Sequence, residues 1–155
     1  KRLEVCSTTA PQMSIPLVMG DARYPDHLKT RARVFEQRAK EACSFFKDIP
    51  GIHVNCPNGA FYLTVLFEDG VLNNRQSLKI TNTQIRHMVE DQVKGVANDA
   101  RFVYYLLGGK GVCVVPLSGF YCKRDGFRTT LLECDDEKRR WTYQTIADAI
   151  REYLR

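Results

Sequence analysis

The stretch Gly111–Leu132, GVCVVPLSGFYCKRDGFRTTLL, decides how the rest of the chain is read. Val112–Val115 reads as a buried strand, Pro116–Gly119 as a turn, and Phe127–Leu132 as a second strand after a short polar excursion. Arg128 is the single charge in that second strand. A guanidinium taken out of water without an anionic partner is costly, so the fold must supply a carboxylate or hold a place for one. The planar fork of N–H donors matches a carboxylate through two parallel hydrogen bonds. Two readings stand on these residues alone. Arg128 is the receptor of a ligand carboxylate, with the Pro116–Phe120 turn as its wall, or it is a solvated charge on the wet face of a half-exposed strand.

At 155 residues the chain is about one domain with enough length for a real core. Its 44% hydrophobic and 26% charged residues are those of an ordinary globular protein. No apolar run approaches the ~20 residues of a membrane span, and no signal-like segment is seen, so no membrane partner is expected. The opening Lys1-Arg2-Leu3-Glu4, without a Met, reads as the middle of a longer protein. The net charge of +5 comes from interspersed signs, and the densest basic run, Lys138-Arg139-Arg140, directly follows Asp135-Asp136-Glu137. A nucleic-acid footprint would be one-sided and interleaved with aromatics, so no such partner is expected. Cysteines stand at 6, 43, 56, 113, 122 and 134, with no C-x-x-C and no ligand-like pairing with His. The expectation is buried, reduced thiols in a cytoplasmic protein, a mitochondrial location being left open by the missing N-terminus, and no zinc site.

Along the chain, Pro11 and Pro16 limit the first twenty residues to short helical turns, with Ser7-Thr8-Thr9 able to cap a helix toward Met19. From Tyr24, the spacing of Leu28, Ala32, Phe35, Ala39, Ala42 and Phe46 predicts one long helix with a continuous apolar face, stopped at Asp48-Ile49-Pro50-Gly51. A hairpin follows, Ile52–Cys56 and Ala60–Phe67 about a Pro57-Asn58-Gly59 turn. Residues 68–80 read as a polar surface loop. A helix capped at Thr81-Asn82-Thr83 turns Ile85, Met88, Val89, Val93 and Val96 inward, and a shorter one runs from Asn98-Asp99 to Gly108–Gly111. The last helix starts at Asp135-Asp136-Glu137, where its dipole favours negative charge, and buries Thr142, Ile146, Ala149, Ile150 and Tyr153. The order predicts an α+β fold: a small mixed sheet of about four strands, one hairpin plus a later strand pair, covered by helices. No internal repeat or second domain boundary is seen.

Other chemistries find little footing. Gly108–Gly111 spells a Gly-x-x-Gly, but an apolar strand follows it where an RNA-clamping loop needs a helix, and no Lys-Ser/Thr pair makes it a phosphate loop. It reads as a helix end and turn. His27, His53 and His87 lie in unrelated contexts, Ser44-x-x-Lys47 has no partner motif, and the carboxylates gather at helix ends.

Asn58-Gly59-Ala60-Phe61-Tyr62, the helix ending at Gly108, Val112–Pro116 with Phe120, and Gly126-Phe127-Arg128, in this order and spacing, resemble the C-terminal part of class I pyridoxal-phosphate aminotransferases of the aspartate aminotransferase fold type. Thr8-Thr9-Ala10-Pro11-Gln12 resembles the segment that follows the cofactor-lysine region in an alanine/aromatic branch. The resemblance covers nearly the whole chain. It implies that residues 1–155 form a single domain, the substrate-closing small domain of a longer homodimeric enzyme that moves an amino group between an amino acid and a 2-oxo acid. It implies that Arg128 grips the substrate carboxylate, with Ser118, Gly119 and Phe120 at the pocket wall. Pyridoxal 5'-phosphate, its Schiff-base lysine and its phosphate contacts are implied to lie in the large domain upstream of Lys1, so no catalytic or cofactor-binding residue is expected here, and this fragment alone is not expected to transaminate. Leu117 departs from the family, which has Gly after that proline. A non-enzymatic module binding a small anion or a protein partner is the alternative.

Overall fold

A computed structural model describes residues 8–155; Cys6 and Ser7, named above, lie outside the described residues. The chain divides into two compact units, one ending at Val34 and one spanning Phe35–Arg155. The first holds α1 (Thr9–Met19) and the start of α2 (Tyr24–Phe46). The two prolines do not confine α1 to short turns. Pro11 falls in its first turn, where a missing N–H costs nothing, and Pro16 is carried inside an 11-residue helix. No residue of α1 is buried.

The second unit is a sheet covered by helices. β1 (Ile52–Asn55) pairs with β2 (Tyr62–Phe67), β2 with β4 (Gly126–Thr130), and β4 with β3 (Val115–Pro116), giving the order β1-β2-β4-β3. The α+β class with four strands is as the pattern predicts. Every pairing is antiparallel, so the sheet is not mixed. Between β2 and β4 the chain passes through α3 (Thr83–Gln92) and α4 (Asn98–Lys110), then returns along β3 and turns back into β4. The strand expected at Val112–Val115 shrinks to two residues. A 3₁₀ turn, Leu117–Phe120, follows at once, and α5 (Asp136–Tyr153) ends the chain.

Alternation sets which face is dry. In β2, Leu63, Val65 and Phe67 are buried while Tyr62, Thr64 and Leu66 face outward. Phe127 points inward from β4 and meets Phe46, Phe67 and Phe102 at centroid distances of 6.5, 6.1 and 5.7 Å. From α5, Tyr143 donates its hydroxyl to the Thr130 carbonyl at 2.9 Å, and burial pushes that phenol up to about 12.

Several apolar positions behave differently from their periodicity. The apolar face of α2 is buried only from Ala39 on, and Leu28 is exposed. In α3 only Val89 is buried, with Ile85 and Met88 exposed. The segment 68–80 is no surface loop: Leu72, Leu78 and Ile80 enter the core. Gly108 and Gly109 are not a loose end either. α4 runs through them to Lys110 and closes at Gly111 with φ 70°. A Cβ on Gly108 would stand 2.6 Å from Val89 Cγ2, so the missing side chain lets α3 and α4 approach. The reduced-thiol expectation also fails, because Cys43 and Cys56 form a disulfide. The reversal after α2 returns β1 beside the helix end and brings their Cα atoms to 6.0 Å. Cys113, Cys122 and Cys134 are free and exposed rather than buried. Among the described residues no helix is long and apolar enough to cross a membrane.

One ion cluster ties α5 to α2. Arg139, with 5% of its side chain exposed, donates to Glu41 Oε2 at 2.9 Å and Asp136 Oδ1 at 2.7 Å, while Arg140 takes the other Glu41 oxygen at 2.5 Å. Burial by itself would raise Glu41, but the two guanidiniums outweigh it and hold the carboxyl below its ordinary 4.5. Its stabilisation is therefore complete above that pH and lost as pH falls through the lower, folded value. In the full-length protein, Glu41→Gln is expected to cost about 1–2 kcal/mol at pH 7 by urea unfolding, since the buried Arg139 keeps Asp136 but loses its second carboxylate. The gap from the parent should narrow toward pH 3, and a pH-independent gap would argue against the ionic account. Gly126→Ala is expected to cost about 1–3 kcal/mol through overpacking. Its Cβ would stand 2.5 Å from the Val65 carbonyl oxygen and 2.8 Å from Leu117 Cδ1. An unaltered calorimetric melting temperature would show that β4 shifts freely.

Candidate functional site

Arg128 lies directly opposite Thr64 on β2 and Val115 on β3. These neighbours are half-buried or exposed, so Arg128 stands on the outward face, and the strand is not dry on both sides. It is not a free surface charge, however. Its guanidinium carbon sits 4.2 Å from the centroid of the Tyr62 ring and 4.2 Å from that of Phe120. The first contact follows from register, because Tyr62 is two residues along β2 from Thr64 and so is the diagonal neighbour of Arg128. The second depends on the 3₁₀ turn, which ends with Tyr121 in the left-handed region at φ 57°. Among the described residues no carboxylate pairs with Arg128. A ring laid over a guanidinium gains cation–π energy and occupies its face, leaving the in-plane N–H edge for a ligand.

Of the residues named with Arg128, Phe120 joins it by contact and is 47% exposed, which leaves one side of the ring open. Ser118 enters through its backbone, its N–H donating to Asp99 Oδ2 at 2.8 Å. Gly119 is exposed, with open space where a side chain would stand. Leu117 is buried, and its Cδ1 stands 2.8 Å from where a Cβ on Gly126 would be. Two residues were missed as members of the site. Tyr62 was legible from strand register, whereas Asp99 reads in sequence as an ordinary helix cap. Nearby Asp125 is pushed up by burial and by Asp99, against the pull of the Asp99 N–H and the Asn98 side chain.

Three helix starts and one lysine of the described residues already have partners within the chain. The starts of α3 and α5 are taken by their own Asn82 and Asp135 side chains, and that of α4 carries Asp99. Lys110, beside the glycines, is bound to Glu152 at 2.7 Å. A surface groove of about 480 Å³, lined by Arg75, Gln76, Ser77 and Glu152 among others, shares no residue with the Arg128 site.

No protein-family model matches the chain. It is 48% identical, over all of its 155 residues, to 36% of an uncharacterized aminotransferase of Methanocaldococcus jannaschii. It is 28% identical over 126 residues, 76% of this chain, to 22% of an inactive alanine aminotransferase of Saccharomyces cerevisiae. The chain thus spans no more than 36% of the length of these curated relatives. Among solved structures, the aspartate aminotransferase of Rhizobium meliloti superposes with a TM-score of 0.59 at 27% identity, over 82% of this chain and 28% of that one. The kynurenine aminotransferase of Pyrococcus horikoshii, at 17% identity and a TM-score of 0.55 over 86% of this chain and 28% of that one, shares the fold. By sequence the chain is similar over its whole length to part of an aminotransferase, and by fold it is similar to part of solved aminotransferases.

Proposed function

We propose that this chain is the substrate-closing domain of a longer pyridoxal-phosphate aminotransferase and that Arg128 receives the α-carboxylate of its amino acid or 2-oxo acid. The observation that carries the reading is a half-buried guanidinium flanked by two rings, with no carboxylate of the described chain to neutralise it. Pairing in β4 fixes the Arg128 backbone from both sides, and the rings restrict the side chain. Little rotamer entropy is then left to lose when a ligand binds. The free edge offers parallel N–H donors to a carboxylate arriving in the guanidinium plane. Gripped there, the ligand keeps one orientation of its Cα, which is rate enhancement by positioning. The half-exposed Phe120 ring offers apolar contact beside that carboxylate.

Everything else in the reaction belongs to the remainder of the longer protein. That remainder would hold the cofactor and Schiff-base lysine, and the whole would act as a homodimer, as the family implies. α1 supports the reading of a piece, since Met13, Leu17 and Met19 are 71%, 77% and 63% exposed on a helix that buries nothing. An apolar surface of that kind is normally covered by a further domain or subunit.

A second reading, a non-enzymatic module that binds a small carboxylate, takes support from the likeness to a relative named inactive. Both are tested in the full-length protein. Arg128→Gln is expected to raise the KM for amino acid and 2-oxo acid about a hundredfold, the equivalent of two charge-assisted hydrogen bonds, with cofactor absorbance intact. Arg128→Lys should recover only part of the loss, because an ammonium is a point charge. An unchanged KM in Arg128→Gln would remove Arg128 from the site. Carboxylate binding by a parent protein that transfers no amino group would select the second reading.

A further inference from the structure

The turn that carries Phe120 is fastened to the body of its unit by a buried carboxylate. Asp99, in the first turn of α4, has no exposed surface. A buried charge needs strong partners, yet among the described residues no Lys or Arg pairs with it. Its oxygens accept instead from two backbone donors, Ala100 N–H at 2.7 Å and Ser118 N–H at 2.8 Å. The first bond is local, to the next residue of the first turn, where the helix dipole favours a carboxylate. The second reaches 19 residues along the chain. Ser118 stands two residues before Phe120, in a turn that closes at Tyr121 with φ 57°, a backbone region that costs a tyrosine energy. A turn ending that way needs an anchor outside itself, and the Asp99 bond is one.

We propose that Asp99 is a positioning residue: by holding the Ser118 N–H it sets the Leu117–Phe120 turn so that Phe120 covers Arg128, and so sets how tightly Arg128 receives a carboxylate. The ligand half of this inference rests on the role of Arg128 given under Proposed function. Asp99 touches no ligand and acts through the ring. An asparagine in its place keeps the shape but presents a donor to one of the two N–H groups. A serine is too short to span to Ser118.

The test uses the full-length protein with 4-fluorophenylalanine in place of Phe120, followed by fluorine NMR, beside steady-state kinetics on the unlabelled protein. Asp99→Asn and Asp99→Ser are expected to move the resonance toward that of the free amino acid. Both should raise the KM for amino acid and 2-oxo acid about five- to tenfold while kcat changes less than about twofold, a loss confined to binding. A resonance unmoved in both variants overturns the proposal, since the turn then stands without Asp99. A moved resonance with unchanged KM overturns its link to the ligand and leaves Asp99 a structural acid. Arg128→Gln separates the two readings. If that variant too leaves KM unchanged, the role of Arg128 has failed, and the fluorine resonance still decides whether Asp99 holds the turn.

Discussion

Phe127 and Arg128 are adjacent on one strand, and the pleat sends them to opposite faces. Phe127 is fully buried among Phe46, Phe67 and Phe102, so β4 cannot slide or rotate without breaking the centre of the core. A slip of one residue would exchange the ring for the guanidinium. The same packing that stabilises the unit therefore fixes where Arg128 points. Gly126 adds to the constraint, because the Val65 carbonyl and the Leu117 side chain occupy the space where a Cβ would stand. The Gly-Phe-Arg run is thus one device: close approach, core anchor and outward charge on successive residues.

Around that strand, the site is assembled from parts with different degrees of freedom. Tyr62 comes with the sheet, since its place beside Arg128 is a matter of register. Phe120 comes from a four-residue 3₁₀ turn, whose position depends on a few bonds rather than on a ladder. Such elements open at lower free energy than core strands. The buried Asp99 bonds this turn, and the half-buried Asp125 precedes β4, where burial, then the charge of Asp99, raises Asp125. Concentrating negative charge at a helix N-terminus is tolerable there because the dipole and the backbone donors face it.

Disagreements between pattern and structure have a common cause. Periodicity reports which face of a helix is apolar, but it does not say whether the chain itself covers that face. Leu28, Met88 and Ile85 sit at well-spaced positions and are exposed, whereas Leu72, Leu78 and Ile80 lie in a stretch with no period and are buried. The glycines of α4 read locally as a helix end, because the close approach of Val89 that requires them comes from another helix. Cys43 and Cys56 are brought together by the reversal after α2, which no cysteine count contains.

Local chemistry, readable from residue order alone, determined the hairpin about Pro57-Asn58-Gly59, the capped starts of α3 and α5, the four-strand α+β class and the placing of Arg128 in a strand. These depend on neighbours a few positions apart, where side-chain type and backbone preference act directly. Tertiary structure alone decided that the arginine would be covered by two rings, that a first-turn acid of α4 would bond a distant turn, and which apolar faces would stay dry. Those outcomes depend on which segments meet in space, and contacts between groups far apart in the chain leave no spacing to read.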